Sequence, residues 1–189
     1  MPHPVPLHIE TERLRLVAGT KRLATADRPK LARLLGADVT QSWPPPLMQD
    51  VEPVWAERLQ ENPDLAGWLH WYIVLKDLAG DEDVLIGSAG FNGLDEATGT
   101  LLMGFSILPA FQGMEYAPEA AFALLEWAFA RPGVERVAAR TLPDQTRSVR
   151  VLEKIGMRRV TDPADPYFEA ADDEAGALLY AVTRSDLEG

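Results

Sequence analysis

The chain has 189 residues, 47% of them hydrophobic and 25% charged, with 18 Lys and Arg against 29 Asp and Glu for a formal charge of −11. This length and apolar content predict one folded domain over residues 1–189 and exclude wholesale disorder. The lack of cysteine excludes disulfides, thiolate metal sites and a thiol nucleophile, three histidines (His3, His8, His70) leave little for a zinc site, and the charge argues against nucleic acid or anionic membrane as partner.

The start, Met1-Pro-His-Pro-Val-Pro, has no basic flank before an apolar core, and no apolar run reaches the roughly 18 residues of a membrane span. A cytoplasmic chain is expected. Glu10-Thr-Glu-Arg-Leu-Arg-Leu-Val alternates charged and apolar side chains, the period of a half-buried first strand. Leu23, Leu31, Leu34 and Leu35 follow, and Asp27-Arg28-Pro29 joins an N-cap residue to a proline at a helix start that Gly36 closes. Trp43-Pro-Pro-Pro-Leu-Met is predicted as a stiff loop, because proline lacks an N–H and restricts the residue before it. A helix over residues 54–61 ends at Asn62-Pro63.

Strands are predicted over 69–75, 84–91 and 100–108, with three antiparallel neighbours as the simplest arrangement. Ala117, Ala120, Ala121, Leu124, Leu125, Ala128 and Phe129 then recur at helical spacing until Pro132-Gly133, and residues 134–141 return as a strand. A strand, a crossover helix and a strand imply a parallel pair. Asp144 or Thr146 can cap a further helix that buries Val149, Leu152 and Ile155 and ends at Gly156. An acidic loop over 162–174 precedes the last predicted strand, residues 176–183.

The charge is uneven. Residues 140–159 hold six basic side chains, Arg140, Arg147, Arg150, Lys154, Arg158 and Arg159, in an otherwise acidic chain. Such a block either seats an anionic ligand or is the solvated face of an amphipathic helix. Phe105-Ser-Ile-Leu-Pro-Ala-Phe-Gln-Gly-Met-Glu-Tyr-Ala-Pro-Glu-Ala-Ala reads as a strand, a short loop and a helix start, whose unpartnered N–H groups can hold a phosphate.

With those residues, the opening Glu10-Thr-Glu-Arg-Leu-Arg-Leu, Leu85-Ile-Gly-Ser-Ala-Gly-Phe, and Leu142-Pro-Asp-Gln-Thr-Arg-Ser-Val-Arg-Val-Leu-Glu-Lys-Ile-Gly-Met, the chain resembles the GCN5-related N-acetyltransferase (GNAT) superfamily. Within it the chain is similar to the Rim-type group, which acetylates protein N-termini, antibiotics or other small amines. The resemblance spans nearly the whole chain. It implies an α/β fold in which four antiparallel strands lead into a splayed parallel pair with flanking helices, around acetyl-coenzyme A (acetyl-CoA) as acyl donor. It assigns to the cofactor Phe105, Ser106 and Ile107 on the splayed strand, Gln112, Gly113, Met114, Glu115, Tyr116 and Ala117 in the pyrophosphate loop, and Gln145, Arg147 and Arg150 beyond it. Ser148 matches the position suggested to protonate the departing thiolate; its structural alternative is a first-turn serine bonded to backbone.

Two residues depart from the family pattern. Glu115 replaces the middle glycine of Gln/Arg-x-x-Gly-x-Gly/Ala, where a missing side chain lets backbone approach the ligand. A carboxylate there repels pyrophosphate unless it turns outward, which the helix dipole favours. Gln145 replaces asparagine and moves the amide by about one carbon–carbon bond. Both changes leave open a second function, a non-catalytic binding or regulatory protein with a degenerate coenzyme A site.

Acetyl transfer needs positioning of an uncharged amine, a backbone donor near Ile107 to polarise the carbonyl, and a base, for which Glu96, Glu119 and Asp95 are candidates. Tyr116 is either an acid or a packed side chain, and His70, alternating within a strand, reads as structural. The resemblance places acceptor choice in the loops at 41–48 and 162–174. The acidity of the second favours a cationic acceptor, a small-molecule amine or a peptide N-terminus, and the chain is expected to be a monomer or homodimer. Trp43 either lines the acceptor pocket or staples the proline loop.

Overall fold

In the computed structural model the described residues are 8–45, 48, 51–77, 79–168 and 176–188. Eight strands form one mixed sheet in the order β1-β2-β3-β4-β5-β6-β8-β7, flanked by helices, as the α/β reading expects. The chain divides into two compact units, residues 1–90 with 105–123 and residues 91–104 with 124–189. Among the described residues no helix is long and apolar enough to cross a membrane.

In the first unit the predicted opening strand is two strands, β1 (His8–Glu10) and β2 (Leu14–Ala18), paired antiparallel. Leu14, Leu16 and Ala18 are fully buried while Arg15 and Val17 are half-buried, the alternation that the sequence carries. β3 (His70–Leu75) pairs antiparallel with β2 and with β4 (Val84–Asp95), which runs four residues past its predicted end. Gly90 on β4 is required by close approach, since a Cβ there would lie 1.8 Å from the Leu69 carbonyl oxygen.

Helices cover one face of these strands. α1 (Lys21–Ala24), not anticipated, starts on Thr20, whose hydroxyl accepts from the Leu23 amide. α2 (Arg28–Leu35) has the expected ends: Asp27 accepts from the Lys30 amide at 2.9 Å, and Gly36 closes it at φ 60°. α3 (Glu52–Glu61) begins two residues before the predicted start, with Pro53 in its first turn. Leu23, Leu31, Leu35, Trp43, Tyr72 and Val74 belong to one buried cluster, and Met48, Trp55, Leu59 and Leu69 to another. The Trp43–Pro44 peptide is cis.

β5 (Thr100–Ile107) lies beside β4 in the sheet and pairs in parallel with β6 (Arg136–Thr141) over Thr100–Met103 and Arg136–Ala139, the predicted parallel pair. Each strand runs on past this ladder, β5 to Ile107 and β6 to Thr141. α4 (Tyr116–Phe129) is the crossover helix; Ala120, Ala121, Leu124, Leu125 and Ala128 are fully buried.

In the second unit, α5 (Thr146–Lys154) buries Leu152, with Ile155 buried just beyond its end. Neither expected cap forms. Gln145 occupies the N-cap position without a side-chain cap bond. β8 (Leu178–Thr183) pairs antiparallel with β6 and with β7 (Arg158–Val160), a strand that no sequence signal announced. α6 (Arg184–Glu188) follows.

Candidate functional site

The residues assigned to the acyl donor fall in both units and are described in each. In the first, Ser106 and Ile107 are buried and Phe105 half-buried at the end of β5. The backbone around Ile107 is held from two sides: Gln112 Nε2 donates to the Ile107 carbonyl at 2.9 Å, and the Leu108 amide donates to the Ile86 carbonyl at 2.8 Å. Gln112, read as a ligand contact, also fixes the strand end to its own loop. Gly113 (φ 79°) and Glu115 (φ 65°) both hold the left-handed conformation, and Glu115 is the one non-glycine residue that does so among the described residues. The backbone thus keeps a conformation suited to glycine although the residue is a glutamate. Glu115 is exposed.

This loop is clamped by the opening segment. Arg13 NH1 donates to the Met114 carbonyl at 3.0 Å and NH2 to the Glu115 carbonyl at 3.3 Å, while its guanidinium lies 4.6 Å over the Tyr116 ring. In a trans peptide the C=O and the following N–H point opposite ways. Holding those two carbonyls therefore turns the amides of Glu115 and Tyr116 away from Arg13. Arg13 is itself fixed by Glu119 in the first turn of α4: Nε donates to Oε2 at 2.7 Å, and the Arg13 amide and the Thr11 hydroxyl donate to Oε1 at 2.9 and 2.6 Å. Burial raises the Glu119 pKa, but the Thr11 and Arg13 hydrogen bonds and charge outweigh it and hold the carboxyl below its ordinary value. Glu119 is a structural anion, unsuited to the base role considered for it. Tyr116 is packed under Arg13.

In the second unit Arg147 and Arg150 project from the exposed face of α5, and Ser148 is half-buried in its first turn. Gln145 Oε1 accepts from the Thr141 hydroxyl at 3.2 Å, which fixes the amide by its oxygen. Arg140 donates to the Tyr167 carbonyl at 3.4 Å. Asp95, another candidate base, accepts from the Tyr167 and Thr98 hydroxyls, which depress its pKa, and Glu96 stands exposed in the same turn before β5. Arg136 pairs with Asp165 at 2.7 Å. Residues 46–47 and 169–174 of the expected acceptor loops lie outside the described residues.

The first unit also holds a cavity of about 310 Å³. Its lining includes apolar Leu23, Leu31 and Trp43 and polar Arg28, Glu52, His70 and Tyr72. His70 is 2% exposed, stacked on Trp55 at 4.7 Å between ring centroids and 4.2 Å from Tyr72. Burial lowers the His70 pKa to about 3, so the ring is neutral. Burial likewise raises Glu52 to about 7 and raises Tyr72, to which the charge on Glu52 adds. Glu52 Oε1 and His70 Nε2 are buried with no hydrogen-bond partner among the described residues.

Glu52 was not legible as a functional residue, since a glutamate in a first helical turn is common and its burial comes from chain segments far away in sequence. His70 and Tyr72 were legible as sharing one face of a strand. Trp43 lines the cavity.

Comparison with known proteins places this geometry. The model of the acetyltransferase (GNAT) domain family matches residues 19–158. An uncharacterized N-acetyltransferase of Bacillus subtilis (strain 168), YjdG, is 31% identical over 151 residues, which is 78% of this chain and 88% of the relative. Among solved structures, RimL, a ribosomal L7/L12 α-N-protein acetyltransferase in complex with coenzyme A, is similar with TM-score 0.61 and 16% identity over 94% of this chain and 98% of that one. The microcin C7 self-immunity acetyltransferase MccE, in complex with acetyl-CoA and AMP, gives TM-score 0.59 and 16% identity over 92% and 93%. At these identities the two structures show likeness of fold. The family match over most of the chain, with the curated relative, settles the assignment: this chain belongs to the GNAT acetyltransferase family.

Proposed function

We propose that this chain transfers an acetyl group from acetyl-CoA to a primary amine in the cytoplasm, residues 1–189 working as one N-acetyltransferase domain. The observation that carries the reading is the clamped loop. Its left-handed backbone at Glu115 and its amides turned away from Arg13 suit the seat of a pyrophosphate, in the place where the family has glycine. Glycine-like backbone at this position also weighs against the degenerate-site alternative. Acetyl-CoA supplies an acetyl group activated as a thioester. Gln112, Gly113, Met114, Glu115, Tyr116 and Ala117 hold the donor by backbone, and Phe105, Ser106 and Ile107 offer the backbone donor that polarises the acetyl carbonyl. In the second unit, the resemblance gives Gln145, Arg147 and Arg150 to the cofactor's polar groups and Ser148 to protonation of the thiolate.

Fixing donor and amine supplies most of the acceleration such a transfer needs. The amine loses one proton to a base and the thiolate gains one. Neither Glu119 nor Asp95, both held by hydrogen bonds, suits the first task. Calorimetric titration with acetyl-CoA tests the reading, and saturable binding is expected. No heat at millimolar ligand would overturn it in favour of a protein that has lost the donor.

A further inference from the structure

The loop accounts for the donor but leaves the cavity among α1, α2, α3 and β3 without a role. About 310 Å³ lies at the small-molecule end of ligand sites, which run from roughly 300 to 1,000 Å³, and equals about ten water volumes. Its lining is mixed. Leu23, Leu31 and the Trp43 ring supply apolar surface, with Trp43 and Tyr72 centroids 6.0 Å apart and inclined by 40°. Glu52 and His70 line it too, and Glu52 Oε1 and His70 Nε2 are buried polar atoms whose hydrogen bonds are unmade among the described residues. Unmade bonds on buried groups are costly, and two around one cavity are satisfied together when an occupant brings donors.

We propose that this cavity seats the acceptor as a small primary amine with an apolar or aromatic body, its ammonium group against Glu52 and His70 and its body against Leu23, Leu31 and Trp43. The proposal rests on the acetyltransferase reading for the word acceptor, not for the binding. Three donors on one ammonium match a carboxylate and the imine nitrogen of a neutral imidazole, and the Tyr72 face beside His70 adds cation–π attraction. The charged and titratable groups that line the cavity with Glu52 are Arg28 of α2 and His70 and Tyr72 of β3, while α1 contributes only Leu23 and Ala24. His70 and Tyr72 stay neutral. Among the described residues Arg28 is therefore the only fixed positive charge on the lining, and Glu52 is the group that changes charge when a cation enters.

Calorimetric titration of the full chain with 2-phenylethylamine near neutral pH tests this, with and without coenzyme A and in two buffers of different ionisation enthalpy. Saturable binding is expected, with release of roughly half a proton as Glu52, near pKa 7, ionises. Glu52→Gln should weaken binding about 10- to 100-fold and abolish proton release. 2-Phenylethanol, equal in shape without the ammonium, should bind at least about 10-fold more weakly to the unaltered protein, which keeps the test valid if the variant does not fold. The proposal is overturned if the amine does not bind under either condition, if the alcohol binds equally well, or if a short peptide binds through its N-terminus and the amine does not. Acetyl-CoA titration is scored separately. Amine binding without donor binding keeps the cavity and removes the acetyltransferase reading; donor binding without amine binding does the reverse.

Discussion

Arg13 carries more of the loop's geometry than any residue inside the loop. It reaches Met114 and Glu115 with separate nitrogens and Glu119 with Nε, a task for a planar fork that one ammonium cannot perform. Arg13→Lys keeps the charge and loses that geometry. The KM for acetyl-CoA is expected to rise about tenfold, the cost of about one charge-assisted hydrogen bond, while the KM for the amine stays constant. A variant that merely destabilised the fold would lower activity without separating the two constants, and steady-state kinetics with each substrate varied distinguishes these outcomes. Thr11 and Arg13 belong to the opening Glu-Thr-Glu-Arg stretch that marked the resemblance, and the clamp gives that stretch a physical reason.

At the level of elements, α2 shows what local chemistry specifies. Asp27, Pro29 and Gly36 each favour the conformation they adopt at a helix end, so both ends were readable from single residues. Asp27→Ala is expected to cost about 1 kcal/mol, lowering the melting temperature by roughly 2–4 °C in a scan of each protein. Since Arg28 and Leu31 line the cavity, the same change should also weaken amine binding. Elements whose cause is a partner strand were not readable. β7 is three residues, Arg-Arg-Val, with no alternation of its own, and exists through its pairing with β8. α5 was legible by its buried stripe but not by its cap: Gln145 stands at the N-cap, and its side-chain Oε1 accepts from the Thr141 hydroxyl. The loop half of the candidate site followed from the family resemblance that its motif carries. The cavity did not, because burial of Glu52 and His70 is a property of packed segments.

For the whole molecule, these two buried groups impose opposite pH slopes. Folded Glu52 holds a proton between its ordinary pKa of 4.5 and about 7 that the unfolded chain lacks, so its contribution is complete below 4.5 and lost as pH rises to 7. Folded His70 rejects a proton that the unfolded chain takes up between 6.5 and about 3, so its contribution is lost as pH falls. Their slopes oppose one another from 4.5 to 6.5. Melting curves should show Glu52→Gln gaining on the unaltered protein as pH rises toward 7 and His70→Gln gaining as pH falls below 6.5. A constant difference across pH would refute either assignment. In stronger acid His70 acts together with Glu119, held below its ordinary pKa by Thr11 and Arg13 despite burial, and Asp165, held below its own by Arg136 despite burial, so acid unfolding should be steep.

Glu115 gives the donor site an unusual response to ionic strength. A loop that attracts pyrophosphate by backbone amides alone loses affinity as salt screens the attraction. Here an exposed carboxylate stands in that loop, and salt screens its repulsion as well. The two effects oppose each other, so acetyl-CoA affinity should fall less with salt than it would with glycine at this position. Glu115→Gly removes the repulsive part alone. Its affinity should exceed that of the unaltered protein at low salt, by about fivefold for roughly 1 kcal/mol of charge repulsion, and approach it at high salt. Parallel salt titrations of the two proteins would show curves that converge, and parallel curves would mean that the carboxylate faces away from the bound anion. A glutamate on a glycine-shaped backbone would then make the chain's hold on its donor depend less on the ionic medium than a glycine in the same place.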